Sequence, residues 1–373
     1  MNEHRIAVIA GDGIGPEVVA EVLRVLEAVA PPAGFEYEAE LFPWGCSYYL
    51  EHGRMMPADA IETLARYDAI YLGAAGDPCR VPEEVAVRET VLAIRFAFDL
   101  YANIRPVQPL PGAPWPLSGP NPDDVDFVVV REATEGLYVG LGGRYTPDAP
   151  EVAEIAGTRR AFDESEEIAL QTGVFSEAGC RRVIERAFRL AEDRDERRLV
   201  TSATKANAMR HGMTLWNEVF DDVARAYPDI DGEWNNVDAL AMRFVLRPES
   251  LDVVVAPNLF GDILTDLSAA LLGGLGFAPS ANLGDGHWPA MFEPCHGSAP
   301  DIAGRGIANP TAAILTLAMM LEDLGESAAA EAVEDGVRTV VAEGEVRTRD
   351  MGGSASTEEM GRAIAEAAAE RLG

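Results

Sequence analysis

The sequence predicts an α/β fold with a substantially parallel sheet. Short apolar runs of strand length recur along the chain, several of them bounded by Gly, Pro or Asp. Segments with apolar residues at helical spacing separate them, the alternation expected of buried parallel strands covered by helices. At 373 residues, with 48% hydrophobic and 25% charged content, the chain can bury a large core as two domains or one large α/β unit.

The first strand is expected at Arg5 to Ala10, an apolar run that meets the turn Gly11-Asp12-Gly13-Ile14-Gly15. Pro16 suits the opening turn of a helix, where its missing N–H leaves no bond unmade. From there Val18, Val22, Leu26 and Val29 recur at helical spacing. Further apolar runs follow at 69–72, 127–130, 199–200 and 251–256, with a helical pattern over 181–191. The Pro/Gly-rich stretch 106–122 reads as a surface connection and a candidate domain boundary. The polar stretch 142–158 reads as a loop able to form an arm. After Gly273-Gly274 the chain turns to loops, then to helices through an Ala-rich C-terminus.

Composition excludes several classes. A formal net charge of -32 disfavours binding to nucleic acid or to an anionic membrane, both of which need clustered cations. No basic-then-apolar leader and no membrane-spanning run is visible, so a cytoplasmic protein is expected. Cys46, Cys79, Cys180 and Cys295 are scattered without CxxC spacing, which argues for reduced thiols over disulfides or structural zinc. Acid excess with scarce lysine is expected of adaptation to a salty cytoplasm; an Arg-favouring genome would account for the lysine alone.

Five groups of residues are candidates for chemistry. GDGIG at 11–15 lacks the GxGxxG spacing of a Rossmann dinucleotide site, and a tight strand-to-helix turn accounts for its glycines. Asp262 and Asp266 stand four apart on one helix face, and Asp238 could add a third oxygen donor of the kind Mg²⁺ or Mn²⁺ prefers; in so acidic a chain, a helix start and a solvated face are the commoner explanation of the first two. Arg95 interrupts an apolar segment, Arg105 follows ten residues on, and Arg131 closes a strand with Tyr138 seven residues later. Converging guanidiniums imply a di- or tricarboxylate, whereas each alone would be a surface ion pair. The stretch 293–304 (EPCHGSAPDIAG), ending at Asn309-Pro310, is a backbone-defined loop able to surround a nucleotide, or an ordinary loop with Asp301 as a cap. Lys205, finally, is the only lysine against 29 arginines. Arginine stays protonated in any accessible medium, so a retained lysine suggests a position that must exchange a proton; the alternative is the last survivor of compositional drift.

Taken together, GDGIGPEV, NIRP, TEGLY, NLFGDILTD and EPCHGSAPDIAGRGIANP, in order from residue 11 to 310, resemble the β-decarboxylating dehydrogenases of the isopropylmalate/isocitrate type. The resemblance implies a two-domain, isopropylmalate dehydrogenase-like fold with a mixed, largely parallel sheet, distinct from the Rossmann fold. One domain would combine residues 1–100 and 273–373; the other, 101–272, would form the homodimer. It also implies an oxidoreductase that uses NAD and Mg²⁺ or Mn²⁺, with K⁺ as a candidate accessory ion. Asp262 and Asp266 would hold the metal together with Asp238 of a second subunit, which would also lend Lys205. Arg95, Arg105 and Arg131 would bind the carboxylates of a (2R)-hydroxy diacid. Lys205, Tyr138 and Asp238 would be catalytic, Lys205 taking a proton and Tyr138 returning one. Ile14, Glu293, His296, Gly297, Ser298, Ala299, Asp301 and Asn309 would surround the cofactor. Asp301 would bond the ribose 2′-hydroxyl and favour NAD over NADP.

Ahead of Arg95, isocitrate enzymes present a Ser and an Asn; here the run is Thr90-Val91-Leu92, which argues against isocitrate. WGCSYYLEHGRMMP (44–57), LGGR (141–144), TSATK (201–205) and RFVLRPESLDVVVAPNLFGDIL are most similar to the tartrate/D-malate branch. Ala133 and the run 206–209 depart from that branch. The expected reaction is oxidative decarboxylation of D-malate to pyruvate and CO₂, with tartrate as a related substrate. The alternatives are 3-isopropylmalate dehydrogenase and, in a different class, a non-catalytic regulatory subunit on the same scaffold. Such a subunit should have lost the acid, base or metal ligands, all of which are present here.

Overall fold

The computed structural model of the chain describes residues 2–152, 163 and 165–373. One ten-stranded sheet organises it. Its strands are β1 (Glu3–Gly11), β2 (Glu36–Leu41), β3 (Ala69–Ala74), β4 (Ala102–Val107), β5 (Phe127–Glu132), β8 (Leu199–Thr204), β9 (Asp231–Asn236), β10 (Val253–Ala256), β11 (Ala281–Leu283) and β12 (Ala290–Phe292). They lie in the order β2-β1-β3-β12-β11-β4-β5-β10-β8-β9. Pairing is antiparallel only at β12–β11, β11–β4 and β4–β5 and parallel elsewhere. The mixed, largely parallel α/β sheet expected from the sequence is therefore present. One end of it is built from chain segments before residue 75 and after residue 280, the other from 102–256.

Alternation along the strands explains the layers. On β1, Ile6 and Val8 join one hydrophobic cluster while Ala7 and Ile9 join another on the opposite face. The first face is covered by α1 (Gly15–Ala33) and by the late helices of the chain. The 102–256 end buries its other face under α2 (Glu177–Arg194) and α3 (Arg210–Ala224), with Phe188, Trp216 and Phe220 fully enclosed. The remaining long helices are α4 (Val237–Leu246), α5 (Asn258–Leu271), α6 (Thr311–Asp323), α7 (Ser327–Glu343) and α8 (Thr357–Leu372). Ser356 and Glu359 close a capping box at the start of α8, satisfying donors the helix cannot pair itself.

Two sequence expectations shift. The stretch 142–158 is not a loop at its start: β6 (Gly136–Tyr145) pairs antiparallel with β7 (Ile168–Val174) in a separate two-stranded ribbon, while part of that stretch, 153–158, lies outside the described residues. The glycine-rich, polar composition concealed a strand whose partner comes later in the chain. The stretch 106–122 begins inside β4 and leads to β5, its hydrogen-bonded neighbour, so it connects adjacent strands. The four cysteines are free thiols. Among the described residues no helix is long and apolar enough to cross a membrane.

Candidate active site

The antiparallel β4–β5 pair carries two of the arginines, with Asn103 opposite Arg131 in the register. Pro257 ends β10 and opens α5, whose face presents Asp262 and Asp266. A helical run over 83–97 brings Arg95 from the other end of the sheet. These elements enclose a cleft of about 340 Å³. Arg95, Arg105, Arg131, Tyr138, Asp262 and Asp266 all line it, and so do Glu293, His296 and Gly297.

All three arginines are buried. Arg95 is ion-paired to Glu293 at 2.5 Å, and Glu293 also accepts from Asn282 at 3.0 Å. Arg105 donates to Asn103 at 2.8 Å and to Thr265 at 2.7 Å, with Asp266 at 3.8 Å. Arg131 donates through Nε and Nη2 to Asn258 Oδ1, at 3.2 and 2.8 Å, and through Nη1 to Asp262. Burial pushes the Arg131 pKa down to about 10, helped by the neighbouring Arg105 and Arg95 charges. Three like charges are thus held close together, each facing a carboxylate of the cleft wall. Tyr138 donates to the second oxygen of Asp262, and its ring lies under Arg131 at 5.2 Å. Burial and then the Asp262 carboxylate raise the pKa of its phenol, which stays protonated.

A second cavity, of about 540 Å³, adjoins the cleft through His296 and Gly297. Ile14, Ala299 and Asn309 line it, together with Arg349 and Asp350. The glycine turn at 11–15 folds onto the 293–309 loop: Ile14 N donates to Ser298 O at 2.8 Å, and Gly13, at φ +59°, leaves no room for a Cβ, which would stand 1.9 Å from that same oxygen. The close approach requires glycine there. His296 turns Nδ1 to Gly297 O at 3.0 Å, while its buried Nε2 has no partner. A buried orphan nitrogen on the wall shared by two cavities fits a bound polar ligand, and a nucleotide suits the size of the second chamber. Asp301 is exposed and lines neither cavity, although Ala299 and Ile302 beside it do.

Lys205 and Asp238 are brought together, but elsewhere. Lys205 Nζ donates to Asp238 Oδ1 at 2.7 Å, and neither residue lines the cleft of its own chain. The ammonium's hydrogen bond holds the Asp238 carboxyl below the usual carboxylate range. Among the described residues of one chain, no group of three His, Cys, Asp or Glu could hold a metal ion. Asp262 and Asp266 supply hard oxygen donors suited to Mg²⁺ or Mn²⁺ and need a further donor to complete a site.

Sequence reasoning missed several supporting residues. Asn103 and Asn258 are fully enclosed and orient Arg105 and Arg131. Asn103 also reaches Ser280 and Asn282, which links the network to Glu293. Asp12 is buried and accepts from Cys46 N and Gly76 N, fixing the glycine turn against β3. Asn258 stands inside the NLFGDILTD string, two residues past the end of β10, which was the available signal.

Fold and paired cavities define an α/β enzyme with one chamber for a small anion and another for a larger ligand. Comparison with known proteins narrows this. The family described as isocitrate/isopropylmalate dehydrogenase matches residues 5–364. The chain is 46% identical over 362 residues to the probable tartrate dehydrogenase/decarboxylase of Bacillus subtilis (strain 168), covering 96% of each protein. It is 45% identical over 371 residues to the decarboxylating D-malate dehydrogenase of Escherichia coli (strain K12), covering 98% of each. The crystal structure of isocitrate dehydrogenase from Methylococcus capsulatus superposes with a TM-score of 0.84 at 35% identity, over 98% of this chain and 99% of that one. The chain belongs to the isocitrate/isopropylmalate dehydrogenase family and is a decarboxylating oxidoreductase. Enzymes of this family generally use NAD(P) and a divalent metal.

Proposed function

We propose that the protein catalyses NAD- and Mg²⁺- or Mn²⁺-dependent oxidative decarboxylation of a (2R)-hydroxy diacid, D-malate to pyruvate and CO₂, with tartrate as a related substrate. The observation that carries this reading is the convergence of three buried arginines beside Asp262, Asp266 and Tyr138 in one cleft. Guanidinium forks bind carboxylates bidentately, and three of them converging on one cleft suit a substrate with two carboxylates. Arg105 and Arg131 bind and orient the diacid, while Arg95 is held ready by Glu293. When bound, the metal supplies a Lewis acid and the nicotinamide a hydride acceptor. Asp262 and Asp266 would hold the metal with the partner subunit's Asp238, and the partner subunit's Lys205 takes the hydroxyl proton. Tyr138, protonated, returns a proton to the carbon that lost CO₂.

Ile14, His296 to Ala299 and Asn309 hold the dinucleotide in this reading. Asp350, which lines that chamber, and Asp301, exposed next to the lining residue Ile302, would favour a ribose hydroxyl over a 2′-phosphate, and so NAD over NADP. Division into domains 1–100 with 273–373 and 101–272, a homodimer with shared sites, and a cytoplasmic location belong to the same proposal. The strand order, split along β11–β4, supports the division. The identity to tartrate and D-malate enzymes supports the substrate choice. The apolar wall of Val87, Val91 and Leu92 favours 3-isopropylmalate as the second reading. Turnover of D-malate, tartrate and 3-isopropylmalate at equal concentration, with NAD and Mn²⁺, tests the choice. Absence of D-malate turnover overturns it.

A further inference from the structure

The helical run over 83–97 is α-helical at Glu83–Val87 and Ala93–Ala97 but π-helical at Arg88–Leu92. A continuous α-helix advances about 100° per residue, so residues twelve apart would be turned about 120° from one another. A π turn takes more residues per turn and absorbs that drift. Two rows at every fourth residue result. Ala86, Thr90 and Ile94 are all buried, whereas Glu83, Val87, Val91 and Arg95 all line the cleft. Arg88 is turned aside against Gly140 of β6, where an added Cβ would stand 2.4 Å from its Nη2.

The π turn thus keeps Glu83 on the face that carries Arg95. The other carboxylates of the cleft each face an arginine: Glu293 with Arg95, Asp262 with Arg131, Asp266 with Arg105. Glu83 is solvent-exposed and alone among these carboxylates has no hydrogen-bond or ion-pair partner among the described residues. We propose that Glu83 is a specificity-determining residue that reads the substituent on C3 of the diacid, accepting a hydrogen bond from a hydroxyl there and repelling a third carboxylate. This rests on the hydroxy-diacid reading of the site. A free carboxylate offers only acceptors, so a hydroxyl satisfies it. A third carboxylate would meet like charge, and an apolar branch would desolvate it without a partner.

Tartrate and D-malate differ by that C3 hydroxyl, so their relative kcat/KM, measured with NAD and Mn²⁺, isolates the effect. Glu83→Ala should lower kcat/KM for tartrate about tenfold or more relative to D-malate, the order expected of a bond to a charged acceptor. The KM for NAD and the thermal midpoint should not move. Glu83→Gln, which keeps a neutral acceptor, should restore part of the tartrate rate. Equal losses on both substrates, a raised KM for NAD, or a lowered midpoint without a change in the ratio each overturn the proposal, as does wild-type enzyme that ignores tartrate. Wild-type enzyme that turns over neither diacid overturns the functional reading itself, a result distinct from any shift in the ratio.

Discussion

Arg131 and Asp262 are ion-paired on the floor of the cleft, with the arginine side chain 3% exposed and the carboxylate 37% exposed. The pair is asymmetric. Asn258 clamps the guanidinium from behind through a single oxygen, while Asp262 keeps an open side for ligand. A buried charge is tolerated only when paired and hydrogen-bonded, so Asn258 supports the site without reaching substrate.

Asn258→Ala should therefore leave two buried guanidinium donors unmet. A cost of about 2–3 kcal/mol is expected for bonds to a charged group, read as a lower urea midpoint at neutral pH. Arg131 would lose its aim, so KM for the diacid should rise more than kcat falls. An unchanged midpoint would remove Asn258 from this role.

Lys205→Arg should fold and bind NAD but lose turnover by about 10² to 10⁴, the range of a missing proton-transfer group. Arginine can keep the contact with Asp238, now 2.7 Å from Lys205 Nζ, but cannot give up its proton. The check is kcat alongside a thermal melt. Near-normal turnover would mean that the lone lysine is only a compositional survivor.

Much of this was legible in the sequence because it is written in periodicity and in spacing. Apolar runs marked β1, β3, β5 and β10, and the i,i+4 spacing of Asp262 and Asp266 put both in the cleft. Strands β2 (EYEAEL) and β9 (DGEWNN) were silent because they are polar edge strands, held by backbone pairing to one neighbour. Asn103 and Asn258 were silent for another reason. A buried amide is recognised by what it bonds to, and apart from Arg105, two residues from Asn103, those partners lie far away in sequence. The π turn that sets the face of Glu83 has no compositional mark at all.

His296 supplies a pH dependence of stability. Burial lowers its pKa in the folded chain, so the native imidazole stays neutral while the unfolded one protonates near about 6.5. The unfolded state then binds more protons, and stability should fall as pH drops from about 6.5 toward the depressed folded value. Above that window the contribution is fully present. His296→Gln should flatten this part of the profile in urea titrations between pH 7 and 5; an unchanged slope would assign it to other groups.

Salt should act in the opposite direction to what a conventional surface would show. Glu36, Glu38 and Glu40 alternate along the exposed face of the edge strand β2, within a chain of net charge -32. Among the described residues, Arg5 at 3.5 Å from Glu38 is their one ion-pair partner. Like charges at this spacing repel in water, and the repulsion is screened once the Debye length shrinks from about 10 Å at 0.1 M to about 3 Å at 1 M. The thermal midpoint should therefore rise between low and molar KCl. Glu36→Gln should raise the midpoint at low salt and have little effect at 1 M, because screening and neutralisation relieve the same repulsion. A midpoint that is flat or falls with KCl would show that the acidic surface is already balanced within the fold, and adaptation to a salty cytoplasm would lose its physical basis.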